Sequence, residues 1–158
     1  MESHSKAIAW DCKPFLALSS LELHRCLALR CAVFVVEQRC PYQEADYKDE
    51  HSLHVMGWQD NELVAYARIV APGISYKEVS LGRVATVYAL RGVGIGKLLM
   101  KETMRMILEH YGDVPVRISA QSYLQRFYES FGFACIGQEY QEDDIPHIEM
   151  LRRPLLGA

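Results

Sequence analysis

The chain has 158 residues, half of them apolar and 23% charged, with a formal net charge of −3. This is ordinary globular usage for a single domain spanning residues 1–158, and it offers no basic face for nucleic acid. No apolar run approaches the roughly 20 residues that cross a bilayer, and Met1 to Lys6 open no apolar leader segment, so a soluble cytoplasmic protein with no membrane partner is expected. The five cysteines, Cys12, Cys26, Cys31, Cys40 and Cys135, contain no Cys-x-x-Cys pair and are expected as reduced thiols. Cys40, His51 and His54 match no common zinc spacing, so no metal is expected.

Ile8 to Cys12 reads as a first strand that Lys13-Pro14 ends. Ser19-x-x-Glu22 is a capping box, and apolar residues at Leu23, Cys26, Leu27, Cys31 and Phe34 give helical spacing to about Val36. Glu37 to Glu50 is acidic and aromatic, and Pro41 bars a regular helix there. That stretch is either a solvated surface loop or a substrate-facing one in which Glu44, Asp46 and Asp49 attract a cationic amine. Ser52 to Trp58 and Glu62 to Val70 read as a hairpin around the turn residues Asp60-Asn61, and Val79 to Val87 as the next strand of an antiparallel meander. Ile95 to about His110 is helical. Its apolar residues fall on two faces, Ile95, Leu98, Leu99 and Met106 on one and Met100, Met104, Leu108 and Tyr111 on the other, which predicts burial around much of the circumference. Val114 to Ala120 is a strand, Gln121 to Phe131 a helix closed by Gly132, and Ala134 to Tyr140 and His147 to Leu151 are strands flanking an acidic Gln141 to Pro146. The order predicts an α/β (α+β) fold with a mixed, mostly antiparallel central sheet flanked by helices.

Between the strand and the long helix lies Arg91-Gly92-Val93-Gly94-Ile95-Gly96-Lys97. Three glycines in five residues let the backbone adopt positive φ and approach a ligand. A helix start adds unpaired N–H groups and partial positive charge, so the stretch describes an anion cradle, with Arg91 and Lys97 at its edges. It is not a Walker loop, because Arg91 stands where the first glycine belongs and Leu98 where Ser or Thr must hold magnesium. Nor is it the dinucleotide fingerprint, whose glycine spacing differs.

The pattern Arg91-x-x-Gly94-x-Gly96 resembles the pyrophosphate loop of the GNAT superfamily of N-acetyltransferases. After a further strand, Phe127-Tyr128-x-x-x-Gly132-Phe133 resembles that superfamily's second signature, in the expected order. Arg30-x-x-Val33-Phe34-Val35-Val36-Glu37-Gln38, Pro41-Tyr42-x-Glu44-x-Asp46 and Asp144-Ile145-Pro146-His147-Ile148-x-Met150 are similar to the small bacterial ElaA-type acetyltransferases, from about Trp10 to Met150.

The resemblance implies acetyl-coenzyme A as cosubstrate and a primary amine of a small molecule or peptide as acceptor. The acetyl group would pass by direct attack in a ternary complex. Val84, Ala85 and Thr86 would line the pantetheine arm, and a backbone amide there would polarise the thioester. Gly92, Val93, Gly94, Ile95, Gly96 and Lys97, beside Arg91, would hold pyrophosphate. Gln121 stands where the family often has Asn. Tyr128 would protonate the departing thiolate, since a phenol with a reference pKa of about 10 keeps its proton at neutral pH. Many members carry a Glu base on the strand before the loop, but Gly82 to Val87 has no carboxylate. The candidate bases are Glu37 and His147, with His54 third; the reference pKa of histidine, about 6.5, suits the role. Arg68 and Arg83, on neighbouring strands, are alternatively partners for the loop carboxylates. A non-catalytic acyl-coenzyme A sensor on the same fold and a nucleotide-binding regulatory module are the other functions weighed, and a homodimer is compatible with the fold.

Overall fold

Ser19 starts the first helix as its capping box requires. Its hydroxyl accepts the Glu22 N–H at 3.1 Å, and the Glu22 carboxylate accepts the Ser19 N–H at 2.8 Å. In this computed structural model, which describes residues 6–155, α1 (Ser20–Arg30) passes directly into a wider π-helical stretch, Cys31–Glu37. There the Gln38 N–H reaches back to Val33 O and the Cys40 N–H to Val35 O, five residues rather than four. The expected helical span is present, but Val33-Phe34-Val35-Val36, three of them β-branched and one aromatic, is poor α-helix material, and the turn widens. Residues 1–5, read above as carrying no leader segment, lie outside the described residues.

The strands are β1 (Ala9–Pro14), β2 (Ser52–Gln59), β3 (Glu62–Val70), β4 (Val79–Thr86), β5 (Val116–Gln121), β6 (Ala134–Cys135), β7 (Tyr140–Glu142) and β8 (Ile145–Arg152). They form one sheet in the order β1-β2-β3-β4-β5-β8-β6, with β7 also paired to β8. Every pairing is antiparallel except β4 with β5. β1 runs on through Lys13 and Pro14; a missing donor is tolerated on an edge strand. Asp60 and Asn61 both take positive φ, 50° and 64°, as a two-residue hairpin turn of the primed type demands.

Helix α2 (Ile95–Tyr111) crosses from β4 to β5 on one face of the sheet. Ile95, Leu99, Met100 and Ile107 pack there on Val55, Ala67, Ile69, Val116 and Ile118. α1 covers the other face, where Cys26, Leu29 and Val33 pack on Met56, Tyr66 and Ala85. β3 is therefore buried on both sides from Leu63 to Val70.

Three expectations need correction. α2 is buried along one stripe, not around its circumference: Leu98 and Leu108 are 48% and 57% exposed, because among the described residues no element covers the helix on the side away from the sheet. The predicted helix Gln121–Phe131 begins later. Gln121 still belongs to β5, Ser122–Leu124 is a 3₁₀ turn, and α3 is Gln125–Glu129. Gly132 (φ 90°) ends it as foreseen, with the Phe133 N–H on Tyr128 O and the Gly132 N–H on Glu129 O, the paired closure of a Schellman motif. Finally, Ala134–Tyr140 is not one strand and Gln141–Pro146 is not a loop. Asp143 and Asp144, with φ of 50° and 60°, make the tight turn of a hairpin between β7 and β8; short acidic side chains tolerate this conformation.

The acidic loop also departs from the expectation that it attracts an amine. Arg30 is 0% exposed on the sheet side of α1. Its Nε donates to Glu44 Oε1 at 2.6 Å, its Nη1 to Asp49 Oδ1 at 2.8 Å and its Nη2 to Glu44 O at 3.1 Å. Arg68 donates to Asp49 at 2.9 Å and to both oxygens of Asp46 at 2.6 and 3.1 Å. Arg83 donates to Glu44 at 2.9 Å. Three guanidinium groups thus match three carboxylates, as the sequence allowed for Arg68 and Arg83, and the loop is folded inward with its charge spent.

Removing one member strands the others in a low-dielectric site. Arg30→Ala is expected to cost about 3–5 kcal/mol, read as a lower urea midpoint. A pH dependence follows as well. Burial alone would raise the Asp46 carboxyl, but the Arg68 hydrogen bonds outweigh it and hold its pKa below the usual value. A depressed carboxylate stabilises the fold above its unfolded pKa of about 3.9, and that contribution is lost as pH falls through the folded value. Acid unfolding is expected to steepen below about pH 4, and Asp46→Asn to flatten that limb in a pH series of denaturant melts.

Candidate active site

Val79 and Ser80 pair with Val116 and Arg117, and the parallel ladder between β4 and β5 stops there. On its other edge β4 carries one residue more than β3 between Gly82 and Ala85. The extra residue is accommodated at Arg83, whose φ is 51°, a conformation costing a non-glycine residue about 1–2 kcal/mol. A bulge bends its strand. The two parallel strands separate, and a cleft opens between them. Glu44 grips the Arg83 guanidinium, which also lies over the Phe34 and Tyr42 rings at 5.8 and 5.6 Å, so the buried ion cluster supports the strained residue.

The cleft encloses about 860 Å³. The residues singled out from the sequence as catalytic or ligand-binding line it, with the exceptions of Val93, which is 75% exposed, and His54, which is buried in the sheet. Val84, Ala85 and Thr86 form the β4 wall. Gly92 and Gly94 have φ of 84° and 89°, and Gly94 is the N-cap of α2. The turn therefore presents the first amides of that helix to the cleft, with Lys97 beside them. A Cβ added at Gly96 would meet only the Phe127 ring, at 3.7 Å. The protein itself leaves room for a side chain there, so the open space is available to a ligand.

Arg91 is engaged within the chain. Its Nη1 and Nη2 hold the two oxygens of Glu37, and Nη2 also reaches Thr86 O at 3.1 Å. The hydrogen bonds from Arg91 keep the Glu37 carboxyl below the usual range, which makes it a weak base in this arrangement. Gln121, at the end of β5, donates to Gln38 Oε1 across the cleft at 3.2 Å.

Tyr128 lies on α3, 7% exposed, with Phe127 and Phe133 edge-on to its ring at 5.3 and 6.0 Å. Burial pushes its phenol up to about 12. His147, on β8, stands opposite Gln121 of β5, and its Nδ1 lies 2.7 Å from Ile145 O. A carbonyl can only accept, so Nδ1 carries the proton and Nε2 is the basic nitrogen. His54 differs: it is 0% exposed, its Nδ1 accepts from Tyr66 OH at 2.7 Å, its Nε2 donates to Asp49 O at 3.0 Å, and burial lowers its pKa. It is a core histidine with both nitrogens occupied, not a base.

Arg30, Tyr42, Ser119 and Glu142 were given no role by sequence reasoning. Arg30 and Tyr42 left a signal there as members of the quoted ElaA-like stretches, and Arg30 also as a lone charge in the apolar stripe that joins Cys26 to Val33. Among the described residues no group of three or more His, Cys, Asp or Glu is placed to hold a metal, and no helix is long and apolar enough to cross a membrane.

An acetyltransferase (GNAT) domain model matches residues 23–153. Protein ElaA of Escherichia coli K12 is 46% identical over 147 residues, 92% of this chain and 96% of ElaA. The crystal structure of Escherichia coli ElaA superposes with a TM-score of 0.88 at 45% identity, covering 93% of this chain and 100% of that one. An acyl-CoA N-acyltransferase from Pseudomonas aeruginosa superposes with a TM-score of 0.89 at 42% identity, covering 92% and 99%. The mixed sheet, the split strands and both signatures are thus those of a known enzyme family, and the chain belongs to the GNAT acyltransferases as an ElaA-type member.

Proposed function

We propose that the protein is a cytoplasmic N-acetyltransferase that uses acetyl-coenzyme A and acetylates a primary amine of a small molecule or peptide by direct attack in a ternary complex. The observation that carries this is convergence: the glycine turn, the freed edge of β4, the Tyr128 phenol and His147 all open on one cleft. In this reading Gly92 to Lys97 hold the donor's pyrophosphate through helix-start amides, and Arg91 and Gln121 flank it. Val84 to Thr86 offer backbone groups to the pantetheine arm, as an added strand would use them. The donor supplies an activated acyl carbon. His147 Nε2 takes a proton from the acceptor ammonium, and the Tyr128 phenol, kept protonated by its burial, supplies one to the departing sulfur. Glu37 is the less suited base while Arg91 holds it. The five free cysteines suit a reducing compartment.

The experiment is a free-thiol assay with acetyl-coenzyme A against amines, polyamines, amino acids and peptides. Tyr128→Phe is expected to lose about 100-fold in kcat with coenzyme A affinity unchanged. A variant that turns over at the parent rate removes Tyr128 as the acid, and a parent that binds coenzyme A yet acetylates nothing in a broad panel favours the sensor function.

The glycines separate what the fold needs from what the ligand needs. Gly96→Ala is expected to leave the melting temperature unchanged or raised, since alanine is better in a helix by about 1 kcal/mol, and to weaken coenzyme A binding roughly tenfold by calorimetry. Gly94→Ala is expected to cost about 1–2 kcal/mol of stability as well, because its φ is left-handed. Equal affinity of Gly96→Ala and the parent would move the pyrophosphate away from this turn.

A further inference from the structure

We infer that the β7–β8 hairpin belongs to the catalytic apparatus, with Glu142 as a positioning residue that stabilises the protonated His147 and carries its proton out to water. This rests on the proposed role of His147 as base.

On the hairpin Tyr140 stands opposite His147 and Glu142 opposite Ile145. Tyr140 and Glu142 are two residues apart on one strand and share a face, so Glu142 is the diagonal neighbour of His147. Glu142 Oε2 lies 3.5 Å from His147 Nε2. With Nδ1 committed to Ile145 O, a neutral ring turns its lone pair toward a carboxylate, which gains nothing. A protonated ring forms an ion pair. The arrangement therefore favours the imidazolium, the state reached when the base has taken its proton.

Exposure gives the direction of transfer. The His147 side chain is 11% exposed and that of Glu142 is 54%, so a proton moving from ring to carboxylate moves from the cleft wall into solvent. Ser119 anchors the carboxylate from β5: its Oγ donates to Glu142 Oε2 at 3.3 Å and is hydrogen-bonded to Tyr140 OH. The Tyr140 ring lies 6.0 Å from the imidazole. Asp143 lines the cleft at the turn. Glu149, further along β8, is taken by Arg117 at 3.0 Å, and Tyr76 sits under the Arg117 guanidinium at 5.2 Å.

The protons balance. The acceptor ammonium loses one N–H proton to His147 Nε2, which passes it through Glu142 to water and returns to the neutral ring. The amine nitrogen forms its bond to the acyl carbon as the carbon–sulfur bond breaks. The second nitrogen proton offsets the one that Tyr128 gives to sulfur. One proton is released per acetyl transferred.

The test needs no acceptor. Long-range proton–nitrogen spectra of the full ¹⁵N-labelled chain resolve its six histidines, and His147→Gln assigns the ring. The expected result is a Nδ1-protonated neutral tautomer whose Nε2 signal moves in Glu142→Gln, because that nitrogen loses the carboxylate facing it. A Nε2-protonated tautomer, or a Nε2 signal that stays in place in Glu142→Gln, overturns the inference. Once an acceptor is in hand, Glu142→Gln is expected to lower kcat about tenfold with the KM for acetyl-coenzyme A unmoved. Acetyl transfer by His147→Gln at the parent rate would instead defeat the base assignment, whatever the spectra show, so the two failures are distinct.

Discussion

The Arg30 guanidinium, fully enclosed between α1 and the sheet, is the constraint on which the site depends. It draws Glu44 and Asp49 inward, and with them the whole segment that joins the helix to β2. Glu44 then meets Arg83, the one residue of β4 in a left-handed conformation. A buried charge that lost its partner would destabilise the fold by more than the bulge costs, so the cluster can afford to keep β4 bent. The bend sits where β4 leaves β5, and the space between them is the cleft. Charge pairing on one face of the sheet thus maintains an opening that passes between its strands.

The same accounting separates the two candidate bases. Glu37 ends the π-helical stretch and faces the cleft, but a bidentate guanidinium holds it in the charged state and makes proton uptake costly. His147 has the opposite surroundings: one nitrogen is fixed by a carbonyl, and the other faces a carboxylate that rewards protonation. One carboxylate engaged by a guanidinium and one imidazole nitrogen left without a donor are surroundings by which a fold divides chemical roles. Arg91 also links Glu37 to the glycine turn, so an anion drawn to Arg91 competes with the carboxylate for one guanidinium.

Much of this was legible in the sequence, and the pattern of what was not is physical. The capping box at Ser19, the Asp60-Asn61 turn, the glycine turn ahead of α2 and the closure at Gly132 are local signals, each decided by a few adjacent residues. They bring nearly every residue named for the donor side to one cleft. Pairing of the acidic loop with Arg68 and Arg83 was open to sequence reasoning, but its folding onto Arg30 was not legible, because Glu44 and Asp49 find Arg30 from 14 and 19 residues away, and composition alone makes such a segment look solvated. The Arg83 bulge left no mark either, since its neighbours fit an ordinary strand and the glycine beside it is not the strained residue. Gln141 to Pro146 was misread for a related reason: two aspartates in left-handed conformations make a turn as tight as Asp60-Asn61, without the asparagine that announced the first one.

One ring stands between the glycine turn and Tyr128. A Cβ on Gly96, in the first turn of α2, would stand 3.7 Å from the Phe127 ring, and Phe127 packs edge-on against Tyr128 at 5.3 Å and Phe131 at the same distance. Tyr128 is further fixed by Phe133, and its carbonyl accepts the Phe133 N–H that closes α3. A short helix of five residues has little stability of its own. Here it is closed at one end by Gly132 and held on its side by the Phe127 and Phe133 rings. The groups proposed to hold the donor and to protonate its sulfur open on the same cleft with the Phe127 ring between them, so the two signatures, thirty or so residues apart in the chain, meet at one site.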